Sequence, residues 1–247
     1  MQLGFFISGG AGQMAQNRLD TISNNLANVN TTGYMEDRSA FSSMFSSKIG
    51  REGAPDSTSA AYISLNKQYT STQPGAIRET GAQFDFAIQG DAYFRVQMED
   101  GTEALTRAGN FKVDAQGNLK TQGNQAVLDE NGTAIVLPIG DVSATANGAI
   151  SVNGQPVTQL GLSMVNDPRL IQKAEGVLLR TSPDNIVAAD NTIAVKHGAL
   201  EQSNVNSVLA MASMISTMRE YESMMKVIEN YNQQASQLSD RVGVVQA

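Results

Sequence analysis

The chain has 247 residues, a formal net charge of −7 and a pI near 4.7, with 41% apolar and 17% charged residues. That length holds one large or two modest domains, and the low charge leaves a polar-neutral surface of Gly, Asn, Gln, Ser and Thr. Lys and Arg are nowhere concentrated, which excludes a basic nucleic-acid groove, and the lack of cysteine excludes disulfides and thiolate metal sites.

The N-terminus carries an apolar patch, Leu3, Phe5, Phe6 and Ile7, but no basic residue before Arg18 and no long apolar run, so it does not read as a secretory signal. No segment approaches the roughly 18 consecutive apolar residues of a spanning helix. A first amphipathic helix is predicted from the first few residues to about Val29. Phe5, Ala15, Leu19, Ile22, Leu26 and Val29 follow a 3.5-residue spacing, with Ser8 and Gly12 between them. Asn30, Thr31, Thr32 and Gly33 then stop it, Gly33 by taking a left-handed conformation. The second face of this helix, with Asn17, Asn24, Asn25 and Asn28, is polar but nearly uncharged. Such amides both donate and accept, and suit packing against neighbours without desolvating a fixed charge.

Residues 40–72 are rich in Ser, Thr and Gly, and their centre, Ser46 to Ala60, reads as a flexible surface connection. From about Thr72 the period changes to two. Phe84, Phe86 and Ile88 alternate with Asp85, Ala87 and Gln89, and Tyr93, Phe94 and Val96 follow a Gly90–Asp91 turn. Further turns are predicted at Glu99–Gly101, Asp114–Asn118, Glu130–Gly132, Asn147–Gly148 and Asn153–Gly154. That density of turns means an antiparallel β domain of hairpins, extending to about Val195 with a hairpin-like piece at Ile186 to Ile193. Ser203 or Asn204 is then expected to cap a long helix running to about Val242. In it Met211, Met214, Met218, Tyr221, Met225 and Ile228 alternate in steps of three and four, the a/d seam of a coiled coil. Five of the eleven methionines lie there, and flexible thioethers repack against slightly different partners.

The fold class expected is therefore α+β: N- and C-terminal helices pairing as a coiled-coil domain (1–33 and 200–247), an extended linker (34–72), and an inserted antiparallel β-rich domain (73–199). Catalytic patterns fail on inspection. His197, the single histidine, has Asp190 upstream and Ser203 downstream but no nucleophile-elbow frame. Gly9-Gly10-Ala11-Gly12 has no preceding strand and no Gly-Lys-Ser/Thr; small residues for close backbone approach explain it. Asp129, Glu130 and Asn131 lack calcium-loop spacing and read as a hairpin turn. Asn30-Thr31-Thr32 and Asn131-Gly132-Thr133 match the glycosylation sequon but follow no secretory signal.

The segment Asn24-Asn25-Leu26-Ala27-Asn28-Val29-Asn30-Thr31-Thr32-Gly33-Tyr34 resembles the N-terminal signature of the flagellar axial (rod, hook and hook-associated) proteins. Leu200-Glu201-Gln202-Ser203-Asn204-Val205-Asn206 resembles their C-terminal signature, supported by Met214-Ile215, Arg219, Tyr221-Glu222 and Lys226-Val227-Ile228. In the centre, Phe84 to Gly90, Thr106 to Phe111 and Gly117-Asn118-Leu119 are similar to the rod proteins that carry a β domain, although Ala92-Tyr93-Phe94 stands where that family often has Gly-Phe-Phe. Length and the Leu200–Asn204 context are most similar to the proximal-rod branch, with the distal-rod branch next.

The resemblance implies a non-enzymatic structural subunit of the bacterial flagellar basal-body rod. It implies polymerisation through the terminal helices with copies of itself and other rod proteins, and a periplasmic location reached through the flagellar type III export apparatus without a cleaved signal peptide. It implies no cofactor, no metal, no nucleic acid and no membrane insertion. The residues expected at the assembly interface are Phe5, Ala15, Leu19, Ile22, Asn25, Leu26, Asn28, Val29, Asn204, Val205, Asn206, Met211, Met214, Met218, Tyr221, Met225 and Ile228. The alternatives are a distal-rod or hook-type subunit, or a β-scaffold hydrolase acting on peptidoglycan, for which no carboxylate pair converges in sequence. The termini are expected to order on incorporation, because short isolated helices draw most of their stability from tertiary contact.

Overall fold

A computed structural model describes residues 2–46, 60–190 and 192–243. Its described elements are α+β: a helix at each end and antiparallel strands between them. Helix α1 spans Gln2–Ala27 and helix α2 spans Ser207–Gly243. The chain divides into two compact units. One gathers residues 1–26, 37–68 and 207–247; the other gathers 27–36 and 69–206.

In the helical unit, β1 (Asp37–Ser46) and β2 (Ala60–Thr70) form a two-stranded sheet. Both arms of the expected linker are thus strand, since Tyr, Ile, Phe and Thr at intervals suit a pleated surface. The predicted flexible centre, apart from its end residues Ser46 and Ala60, lies outside the described residues. Asn25 joins α1 to β1 through a reciprocal amide pair: its Nδ2 donates to Asp37 O (2.8 Å) and its Oδ1 accepts from Asp37 N (2.9 Å). That pair satisfies the buried Asn25, which the sequence places on the polar face expected to meet neighbours and which here packs on β1 of its own chain.

The β unit holds the main core. Its nine-stranded sheet runs from β14 (Gln172–Lys173) through β15 (Leu178–Arg180), β6 (Glu103–Thr106), β5 (Ala92–Gln97), β9 (Ala126–Val127) and β8 (Leu119–Lys120) to β7 (Lys112–Val113). Strand β13 (Leu162–Val165) also pairs with β5 and carries β16 (Ile186–Ala188) at its other edge. Three shorter groups complete it: β10 (Val142–Ala144), β11 (Ala149–Val152) and β12 (Gln155–Gln159); β4 (Phe86–Gln89) with β17 (Ala194–His197); and β3 (Ile77–Glu79) with β18 (Ala199–Glu201). Alternation along β5 buries Phe94 and Val96 against Phe86, Phe111, Leu119, Val127 and Leu160, with the Phe94 and Phe111 rings edge to face at 5.1 Å. The opposite face buries Tyr93 and Leu105 under Met35, which comes from the 27–36 segment.

Three expectations at element boundaries are corrected. Helix α1 ends at Ala27 rather than Val29, because Asn28 starts a turn: its carbonyl accepts from Thr31 N (3.1 Å) and its side chain from the Thr31 hydroxyl (3.1 Å). Helix α2 begins at Ser207, directly after Asn206, and neither Ser203 nor Asn204 stands at its first turn. The Ile186–Ile193 piece is no hairpin, since β16 pairs with β13 whereas the next strand, β17, pairs with β4.

Candidate assembly interface

On α1 the residues of the predicted spacing are covered: Ser8, Gly12 and Ala15 are buried, and Leu19, Ile22 and Leu26 are half-buried, as are Asn28 and Val29 in the turn that follows the helix. Phe5 belongs to α1, and its side chain lies outside the described residues. The Gly9–Gly12 cluster sits within the helix, and a Cβ added at Gly9, Gly10 or Gly12 meets nothing within 4 Å. Close backbone approach at these glycines is therefore not made among the described residues.

On α2 two apolar stripes run side by side. Ala210, Met214, Thr217, Tyr221, Met224, Ile228 and Tyr231 recur in steps of four and three, and all are half-buried or buried, Thr217 to 1%. This heptad stripe shares Met214, Tyr221 and Ile228 with the predicted seam. The other half of that seam, Met211, Met218 and Met225, lies one residue further round the helix, where it joins Val208 and Ile215. These five side chains are between 45% and 73% exposed. One residue turns an α-helix by roughly 100°, so the second stripe points well away from the first. Between α1 and α2, Arg18 and Glu220 approach to 3.9 Å, a solvent-exposed contact that contributes little by itself.

The tail of the β unit forms a junction with the 33–36 and 71–75 stretches. Asn204 Oδ1 accepts from Glu36 N (2.7 Å), its Nδ2 donates to Gln73 O (2.8 Å) and Ser71 O (3.2 Å), and its own N donates to Tyr34 O (3.3 Å). Glu201 Oε1 accepts from Gly75 N (2.9 Å), Oε2 from Arg107 Nη1 (3.1 Å), and its carbonyl from Gly33 N (2.9 Å). Tyr34 is buried beneath the Lys173 ammonium, 3.8 Å above its ring, which also donates to Met35 O (2.7 Å). Val205 is buried nearby in sequence, while Asn206 is exposed. The glycines are required here. Gly33 has φ +65°, and a Cβ would fall 2.2 Å from Ala108 N; at Gly75 it would fall 1.9 Å from Gln202 O.

Residue type and spacing do not single out Arg107 or Glu201 as functional residues. A signal did exist: each is a lone charge in an otherwise uncharged stretch, Leu105-Thr106-Arg107-Ala108 and Ala199-Leu200-Glu201. Such a charge is retained where it is paired. Arg107 also lies over Tyr93, 4.9 Å from the ring centroid, and burial pushes the Tyr93 hydroxyl above its ordinary pKa of 10.0.

His197 Nε2 lies 2.9 Å from Gln83 O and its ring packs on Phe86 at 5.4 Å, so its polar partner is a backbone carbonyl. Asp129 Oδ1 accepts from Asn131 N and Thr133 N, forming a turn. No group of three or more potential metal ligands occurs among the described residues, and no described helix is long and apolar enough to cross a membrane.

Three family models match the chain in order: "Flagella basal body rod protein" over residues 7–34, "Flagellar hook protein FlgE/F/G D1 domain" over 87–155, and "Flagellar basal body rod FlgEFG protein C-terminal" over 196–241. The flagellar basal-body rod protein FlgF of Rhizobium meliloti is 31% identical over 226 residues, covering 90% of each chain. The chain belongs to the flagellar basal-body rod protein family. Rod proteins of two types match it: FlgF of Escherichia coli is 30% identical with 92% of each chain covered, and FlgG of Bacillus subtilis is 34% identical with 86% of this chain and 89% of its own covered. The two terminal rod-family matches contain the junction residues Gly33, Tyr34, Glu201 and Asn204 as well as most of both helices.

Proposed function

We propose that the chain is a non-enzymatic structural subunit of the flagellar basal-body rod, of the FlgF (proximal) type. It polymerises with copies of itself and with other rod proteins through its terminal helices, and transmits torque through packed contacts. It resides in the periplasmic part of the basal body and reaches it through the flagellar export apparatus. The observation that carries this reading is the pair of heptad stripes on α2, one covered within the chain and one exposed. In the proposed assembly the covered stripe pairs with the Ser8–Leu26 stripe of α1 as a coiled coil, for which the Arg18–Glu220 approach gives support. The exposed stripe takes a helix of a neighbour. Covering the rest of each exposed side chain is worth about 1 kcal/mol or more, which several neighbours together turn into a stable lattice despite the cost of association.

The test is incorporation of Met218→Asp in flagellated cells lacking their own FlgF-type subunit. We expect the wild-type chain in purified basal bodies and the variant absent, with motility lost. Motile cells carrying the variant in their rods would overturn the reading. The 34% identity to a FlgG keeps a distal-rod role as the second reading. Rescue of cells lacking FlgG, but not of cells lacking FlgF, would assign it.

A further inference from the structure

We propose that Asn204 and Glu201 form a clasp, closed within the single chain before any neighbour binds, that ties the 27–36 segment to the end of the β unit. The segment leaving α1 has few means of holding itself, being a run of turns that ends in three buried residues, Gly33, Tyr34 and Met35. What holds it comes from far along the chain. Glu36 N–H goes to the Asn204 side chain 168 residues away, and Met35 O to Lys173 138 residues away. Gly33 N–H goes to Glu201 O.

The side-chain amide of Asn204 is well used: one acceptor site on 27–36 and both donors on the 71–73 stretch, so one residue bridges the outgoing and returning passes of the chain. Glu201 repeats the arrangement one turn of chain earlier, on Gly33, Gly75 and Arg107. Both nodes lie within the β unit and make no use of the exposed helix stripe, so the clasp stands whether or not the helices polymerise. Its consequence is an order of events. The 27–36 segment gains its anchorage only when residues 201–204 are in place, so a chain unfolded at its C-terminal end leaves that segment unattached.

The experiment is peptide-level hydrogen exchange on the dilute full-length chain and on Asn204→Ala. In the wild type we expect the 28–36 peptide to be protected to within about tenfold of the β5–β6 peptides. Asn204→Ala should lower protection at 28–36 and 71–76 by at least tenfold while leaving β5–β6 unchanged. Exchange of 28–36 at the rate of unstructured chain in the wild type, or unchanged protection in the variant, overturns the clasp. Should Asn204→Ala also lose β5–β6, increasing denaturant on the wild type decides: joint loss of 28–36 and the sheet supports the clasp, and earlier loss of 28–36 refutes it.

Discussion

Arg107 and Glu201, 94 residues apart, meet at 3.1 Å with side chains only 1% and 3% exposed. Two charges so placed are costly to desolvate, and removing one strands the other. We expect Arg107→Met or Glu201→Leu to destabilise the β unit by about 3–5 kcal/mol each. The double variant should be clearly less destabilised than the sum, because neither charge is then left alone. Urea unfolding of the four chains measures the coupling. Simple additivity would mean that the pair is not an energetic unit.

Gly33 and Gly81 both have positive φ, +65° and +70°, but only Gly33 meets backbone where a Cβ would stand. Gly81→Ala should therefore cost only the left-handed strain, about 1–2 kcal/mol. Gly33→Ala should cost more than that and loosen the 27–36 segment as well. Equal losses in thermal unfolding would show that the close approach to Ala108 is not maintained in solution.

Thr217 and Met218 are neighbours in sequence on different stripes of α2, buried and 45% exposed respectively. Thr217→Asp should reduce helicity in the dilute monomer by circular dichroism, since it places a charge against the covered stripe. Met218→Asp should leave monomer helicity unchanged while blocking assembly. The reverse pattern would exchange the roles of the two stripes.

Asp114 closes the turn between β7 and β8. It accepts from Lys120 Nζ (2.8 Å), Gln116 N (2.9 Å) and the backbone and side chain of Asn118, with the Lys120 bond the largest influence. These donors hold its carboxyl well below the ordinary value of 3.8. Asp100, bonded to Thr102 and Arg180, is lowered in the same sense. A depressed carboxylate stabilises the fold above its unfolded pKa, and that contribution fades as pH falls through and below 3.8 toward the folded value. The urea midpoint should therefore be flat with respect to these groups near neutrality and fall below about pH 4. Asp114→Asn should flatten part of that fall. An unchanged acid limb would remove Asp114 from the account.

The α+β layout was legible because periods of 3.5 and 2 are local signals: the helical spacing at Ser8–Leu26, the alternation at Phe84–Ile88, and the Asn-Gly turns all stand in the fold. On α2 the spacing alone admits two stripes. Methionines at 211, 218 and 225 and the less apolar set Ala210, Thr217 and Met224 fit the same heptad with Met214, Tyr221 and Ile228, and hydrophobicity alone favours the first set. Covering is decided by what lies opposite, which spacing does not encode. The clasp was hidden for a related reason. Asn204 resembles a helix cap in sequence, and its engagement with Glu36, Ser71 and Gln73 arises from contacts more than 130 residues apart.

In the proposed rod subunit a prefolded β unit, with its linking segments clasped, carries helices that find their full packing only in the assembly. Limited proteolysis of the dilute monomer, with mass spectrometry of the surviving core, tests it most directly. Cleavage is expected within residues 2–26 and beyond 207 and, because 37–68 belongs to the helical unit, within that segment. The fragment containing 28–36 should remain bound to the one spanning 69–206 through native purification. Resistance of both helices in the monomer, or release of the 28–36 fragment, would contradict it.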